Sequence, residues 1–205
     1  MLWQNIDYMI KPILLEIIKN GDVKMGDINV YTGPMKCGKT QKILDEAQRQ
    51  VIAGKNIKVF KPKIDDRFSD VEVISRKGYK TDAIAINEID EIKDYDADVY
   101  VIDEFQFLKG DLKELYKLAN AGKKFYIAGL NLTAERKPFG SMGDLLCMSD
   151  NVQILTSVCE ECRNDNAIYT YYKGDNKTGD ILVGEDCYIP VCRKCYDRLM
   201  KEKNK

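Results

Sequence analysis

The stretch INVYTGPMKCGKTQKILDEAQRQV, residues 28–51, decides the fold. Ile28–Tyr31 is a short apolar run of strand-forming residues. Gly33 to Thr40 then reads G-x-x-x-x-G-K-T. Glycines at the ends of such a loop let the backbone curl, so that successive N–H groups point inward at an anion. From Lys39 to about Val51, residues Ile43, Leu44, Ala47 and Val51 recur at helical spacing, and the spacing predicts a helix. A strand, a glycine loop and a helix in that order form a P-loop, whose cradle of N–H groups and helix N-terminus suits phosphate. Lys39 is the residue that reaches the terminal phosphates, and the Thr40 hydroxyl is a Mg²⁺ ligand in such a loop. The nucleotide-binding segment is therefore Gly33, Pro34, Met35, Lys36, Cys37, Gly38, Lys39 and Thr40.

Outward from the loop, apolar runs alternate with helical patterns. Asn56–Phe60 (NIKVF) predicts a strand stopped by Pro62. Residues 61–82 read as loop with a short strand near Val71–Ile74. Val99–Ile102 (VYVI) is a third strand, Asp111–Ala121 a helix with Leu112, Leu115 and Leu118 on one side, and Lys124–Gly129 a further strand. This alternation predicts an α/β fold, a mostly parallel RecA-like P-loop sheet flanked by helices. Asp103 and Glu104 close the VYVI strand. An Asp there can hold Mg²⁺, and the adjoining Glu104 can accept a proton from an attacking hydroxyl. Water as nucleophile would make an NTPase and a substrate alcohol a kinase, and these two residues do not separate them.

Cys159-x-x-Cys162 and Cys192-x-x-Cys195 are two pairs separated by 29 residues. Four thiolates from two tight turns complete a tetrahedral Zn²⁺ shell, and with no open position the site is structural. Zinc would staple a small β-rich unit. The division is an N-terminal extension over 1–25, expected to be a short amphipathic helix, a P-loop domain over 26–155, and a zinc-ribbon-like domain over 156–205. The chain has 205 residues, and its 32 basic and 33 acidic side chains give a net charge of −1, so no bulk basic excess argues for nucleic acid. No apolar run is long enough to cross a bilayer, and residues 1–25 lack a basic start and a cleavage site, so a cytoplasmic protein is expected. There are seven cysteines and no histidine. Any general base is therefore a carboxylate, Lys, Tyr or Cys. Cys147 is expected in the core.

The order GPMKCGKT, DDRF (65–68), DEFQFL (103–108), KPFG (137–140) and the CxxC pairs, with Tyr188 just before the second, resembles the type II, zinc-containing thymidine kinases from about Gly26 to Tyr196. The resemblance implies transfer of the ATP γ-phosphate to the 5′-hydroxyl of thymidine. It implies Glu104 as general base, Lys39 and Arg67 at the transferring phosphate, Asp65, Asp66 and Gln106 close to the nucleotide, and Thr40 with Asp103 at Mg²⁺. It implies a nucleoside pocket of Met35, Leu130, Phe139, Thr170 and Tyr188, with Ala134 where members usually carry an aromatic ring. A substrate-covering segment over 179–183 includes Gly179, Ile181 and Val183. It implies a homotetramer with feedback by thymidine triphosphate. Further departures are Asn131 for an Asp, Cys37 for a Ser, Arg76 for a His, Gly179 for an apolar residue and Pro190 for a Ser. None of these touches the metal or general-base positions, and among them only Cys37 lies within the phosphate loop. The alternatives are a kinase for another deoxypyrimidine nucleoside, an ATPase, or a nucleotide-binding regulator.

Overall fold

The computed structural model describes residues 25–64, 72–74, 80–174 and 187–203. Strand β1 (Ile28–Thr32) leads into the glycine loop and helix α1 (Lys39–Ile52). There follow β2 (Ile57–Pro62), β3 (Glu72–Ile74), β4 (Lys80–Asp82), β5 (Ile84–Ile86) and, after a 3-10 turn at Ile89–Asp94, β6 (Val99–Ile102). A second 3-10 turn at Phe105–Phe107 precedes α2 (Lys113–Asn120), β7 (Lys124–Gly129), α3 (Met142–Met148) and β8 (Asn151–Ile154). The chain continues through β9 (Tyr169–Tyr172), β10 (Tyr188–Val191) and α4 (Arg193–Lys203).

Six strands form one sheet in the order β5-β2-β6-β7-β1-β8, and every neighbouring pair is parallel. The side chains alternate with period two, as pleating demands. Tyr100 and Ile102 of β6, with Phe125 and Ile127 of β7, join a core that contains Leu115 of α2 and Leu145 of α3. Val99 and Val101, with Tyr126 and Ala128, join the opposite core under Ile43, Leu44 and Ala47 of α1. Both faces are covered, which is why VYVI is apolar at every position rather than at alternate ones.

The elements depart from expectation at several points. β2 runs on through Pro62, which can sit there because it is the strand's last residue and its missing donor points to the side where pairing with β6 has already ended at Phe60. Residues 61–82 hold the antiparallel β3–β4 pair as well as the end of β2. Val51 is 53% exposed, so the buried face of α1 stops at Ala47. Cys147 is exposed on α3, not in the core. β9 and β10 form a separate antiparallel pair, with Tyr169, Tyr171, Ile189, Val191 and Tyr196 packed around the cysteines. The predicted helix over 1–25 falls almost wholly outside the described residues.

Candidate active site

The site forms at the carboxyl ends of the parallel strands, where loops leave β1, β6 and β7. Gly38 begins α1 at φ 87°, a left-handed conformation, and a Cβ built there would project into open space. No side chain caps α1 and no acidic residue stands in its first turn. Helix starts are usually capped because their first N–H groups have no partner within the helix. The first N–H groups of α1 thus carry no side-chain cap, and the open space beside Gly38 is where an anion could meet them. Lys39 is buried and folds across the loop. Its Nζ donates to the carbonyls of Pro34 at 2.7 Å and Gly33 at 3.3 Å.

The Thr40 hydroxyl donates to Asp103 Oδ2 at 2.9 Å. Two neighbouring ligands of an octahedral Mg²⁺ with bonds of about 2.0–2.1 Å stand about 2.9 Å apart. The two oxygens are therefore spaced to share one such ion. Asp103 itself is buried at the end of β6, and Glu104 follows it with φ 49° and ψ 40°, a left-handed backbone that is uncommon for a residue with a Cβ. Such geometry persists only where the surroundings impose it.

Gln106 is one of those surroundings. Its side chain is almost wholly buried. Nε2 donates to Glu104 Oε2, and Oε1 accepts the backbone N–H of Leu130 at 2.9 Å. The Leu130 N–H needs an acceptor, so the amide nitrogen is left to face the carboxylate. Gly140 stands against the backbone of Gln106. It has φ 52°, and a Cβ built there would lie 2.3 Å from the Gln106 carbonyl oxygen. The glycine of KPFG is thus required both by its backbone conformation and by close approach.

The structure brings the nucleoside-pocket candidates to the phosphate loop in part. Met35 N–H donates to the Thr170 hydroxyl of β9 at 3.0 Å. Phe139 packs edge-on against Phe107, with ring centroids 5.3 Å apart. Ala134 is tied to α4, its carbonyl accepting the Tyr196 hydroxyl. Arg136 of the same loop lies over the Tyr196 ring at 4.5 Å and pairs with Asp197 at 3.0 Å. Tyr188 stands opposite Tyr172 in the β9–β10 ladder, with rings 5.0 Å apart. Asp65, Asp66, Arg67, Arg76, Gly179, Ile181 and Val183 lie outside the described residues.

The sulfurs of Cys159, Cys162, Cys192 and Cys195 all lie within 4.8 Å of one another, and those of Cys162 and Cys192 are 3.8 Å apart. Tetrahedral Zn²⁺ with bonds of about 2.3 Å sets sulfurs about 3.8 Å apart. The cluster fits a zinc site. Burial pushes the Cys159 thiol up, but N–H groups of Cys192, Cys162 and Glu161 outweigh it and bring it down to about 7. Burial, with the neighbouring cysteines, pushes Cys195 up to about 12. Four thiols this close cannot all ionise without a cation among them, which is what a metal supplies.

Three contacts, none of them signalled by the sequence, join this cluster to the phosphate loop. Besides the Met35–Thr170 bond, the Ser157 hydroxyl donates to the Lys36 carbonyl at 3.1 Å, and Lys36 Nζ pairs with Glu160 at 2.8 Å. Glu160 lies between the first two cysteines.

A P-loop, a strand-end Asp-Glu pair and a four-cysteine cluster in one chain fit the family described as thymidine kinase, whose model matches residues 26–196. The chain belongs to the thymidine kinase family. A protein of Mycoplasma mobile named thymidine kinase is 35% identical over 175 residues, covering 83% of this chain and 87% of its own length. One of Porphyromonas gingivalis with the same name is 35% identical over 182 residues, covering 85% and 86%. The family match takes in the phosphate loop, Asp103, Glu104 and all four cysteines, and stops short of most of the N-terminal extension and the end of α4.

Proposed function

We infer that this chain phosphorylates thymidine, moving the γ-phosphate of ATP to the nucleoside 5′-hydroxyl. The observation that carries the reading is the meeting of Thr40 and Asp103 at 2.9 Å, with the Gln106-held Glu104 carboxylate next in sequence. The loop N–H groups and Lys39 bind the triphosphate, with Lys36, Cys37 and Gly38 forming its curve. Thr40 and Asp103 would hold Mg²⁺, which neutralises charge on the phosphates when bound. Glu104 accepts the proton of the 5′-hydroxyl, and a carboxylate suits a chain without histidine. The Gln106 bond keeps that carboxylate in one position. Arg67, with Asp65 and Asp66, acts at the transferring phosphate, an assignment that rests on the family resemblance alone.

Met35, Leu130, Ala134, Phe139, Thr170 and Tyr188 form the nucleoside pocket, covered by the segment that includes Gly179, Ile181 and Val183. The contact of Met35 with Thr170 supports this, since it sets the phosphate loop beside β9. Zn²⁺ on the four cysteines holds a C-terminal unit over 156–205 against a P-loop domain over 26–155. Membership of the family supports a homotetramer in the cytoplasm with feedback by thymidine triphosphate. No helix among the described residues is long and apolar enough to cross a membrane.

The test is to incubate the protein with ATP, Mg²⁺ and each natural nucleoside in turn and to measure monophosphate. Thymidine monophosphate is expected. Phosphate release without any nucleoside would point to an ATPase, turnover only with another deoxypyrimidine would move the acceptor, and no turnover with any nucleoside would sink the kinase reading.

A further inference from the structure

Lys36 is held in an unusual state. It is not glycine, yet its φ is 63°, in the left-handed region. A side chain disfavours that region, so the residue stays there only where its surroundings fix it. Both of its ends are fixed from the cysteine cluster. Its carbonyl accepts the Ser157 hydroxyl at 3.1 Å, and its ammonium pairs with Glu160 at 2.8 Å. One peptide further back, the Pro34–Met35 link is fixed too, since the Met35 N–H donates to Thr170. Three groups on two adjacent residues of the phosphate loop are therefore set by residues 121 to 135 positions away in sequence.

The holders are themselves rigid. Glu160 and its neighbour Cys159 sit in a tight turn, with the Glu160 N–H donating to the Pro190 carbonyl and the Cys159 N–H to the Asn164 carbonyl. Ser157 is paired with Ala167 in both directions, N–H to carbonyl. Thr170 lies buried in β9. The half-buried Lys36–Glu160 pair is also shielded from solvent more than an ordinary surface pair, with side-chain exposures of 25% and 34%.

We propose that Glu160 and Ser157 are positioning residues for ATP: they lock Lys36 in its left-handed conformation and so preset the curl of the phosphate loop. The four-cysteine unit then acts on the donor nucleotide as well as on the nucleoside. The proposal rests on the reading of residues 33–40 as the ATP site.

The experiment compares Glu160→Gln, Ser157→Ala and the double variant with the wild-type enzyme. ATP affinity is measured with a fluorescent ATP analogue, and KM for ATP, KM for thymidine, kcat and Tm are measured alongside. Each single variant is expected to weaken ATP binding about 3- to 5-fold, the range of one partly shielded ion pair or one hydrogen bond. KM for ATP should rise with it, while kcat at saturating ATP changes less than 2-fold. Ser157→Thr, which keeps the hydroxyl, should restore affinity. The effect of Glu160→Gln should shrink in high salt, where the wild-type pair is itself screened. A merely structural role would lower Tm and leave ATP affinity unchanged, and that result would overturn the proposal. So would an equal loss for ATP and thymidine. A wild-type chain with no ATP affinity would overturn the nucleotide reading and this inference with it; wild-type binding retained by all three variants would overturn the inference alone.

Discussion

Replacing Gln106 by Leu tests whether the carboxylate beside the metal position is held by its neighbour. Gln106 serves two partners at once. Its amide nitrogen donates to Glu104, and its amide oxygen accepts from the Leu130 N–H at 2.9 Å. Leucine matches its bulk and removes both bonds. The Leu130 N–H is then left without its acceptor in a part-buried setting, at a cost of about 1–3 kcal/mol, toward the lower end where water can reach it. Glu104 loses a charge-assisted bond worth about 1.5–3 kcal/mol, partly recovered by water, because that side chain is only half-buried. The apolar leucine in a near-dry site offsets some of this. A net loss of roughly 2–3 kcal/mol follows, which for a domain of this size lowers Tm by about 4–12 °C. The effect on turnover is separate. A carboxylate that has lost its bond to Gln106 spends less time aimed at the acceptor hydroxyl, and a misplacement of about 1 Å can cost on the order of 100-fold. Thermal melts and steady-state kinetics on Gln106→Leu and Gln106→Glu resolve the two. Gln106→Glu keeps an acceptor for Leu130, so it should melt closer to wild type. It also replaces the donor to Glu104 with a second carboxylate, so its kcat should fall at least as far as that of Gln106→Leu. A leucine variant with wild-type kcat would refute the claim that Gln106 aims Glu104.

Three further outcomes follow from the same geometry. Glu104→Gln is nearly isosteric and should reduce transfer by about 100- to 10,000-fold while ATP affinity stays within about 2-fold; retained turnover would mean that another group takes the proton. Metal analysis should find about one zinc per chain, and Cys192→Ser or chelation should lower Tm and raise protease sensitivity after residue 156, whereas a metal-free protein of unchanged stability would contradict the structural role. Gly140→Ala combines a left-handed backbone with a Cβ only 2.3 Å from the Gln106 carbonyl, so it should cost about 2–4 kcal/mol and lower kcat by displacing Gln106; a variant that melts like wild type would show that the loop can shift freely.

What the sequence made legible is what its chemistry requires to be contiguous. A phosphate cradle needs successive backbone N–H groups, so GPMKCGKT is readable as eight adjacent letters. Paired ligands on one metal need a tight turn, so CxxC is readable too. The VYVI run announces a strand covered on both faces, and the two cores on either side of β6 are the reason. The elements that escaped notice lack that internal logic. β8 is exposed at all four positions and owes its existence to pairing with β1, and β5 is three residues long at the other edge of the sheet. Likewise, Cys147 has the composition of a core residue but is exposed on α3, where none of the described residues covers it.

The same division runs through the candidate site. Reactive groups came from local motifs, but the contacts that orient them join distant positions: Gln106 to Leu130, Thr40 to Asp103, Lys36 to Glu160. None leaves a periodic or spaced trace, because each depends on where the sheet order sets one loop against another. Asp103 ends a strand that is separated from β1 by β7, so its meeting with Thr40 depends on the β6-β7-β1 order. A chain could thus keep every residue of GPMKCGKT and both cysteine pairs and still differ in rate through a change at 106, 140, 157 or 160. In this fold the motifs specify which groups are present, and the contacts between loops determine how well they are aimed.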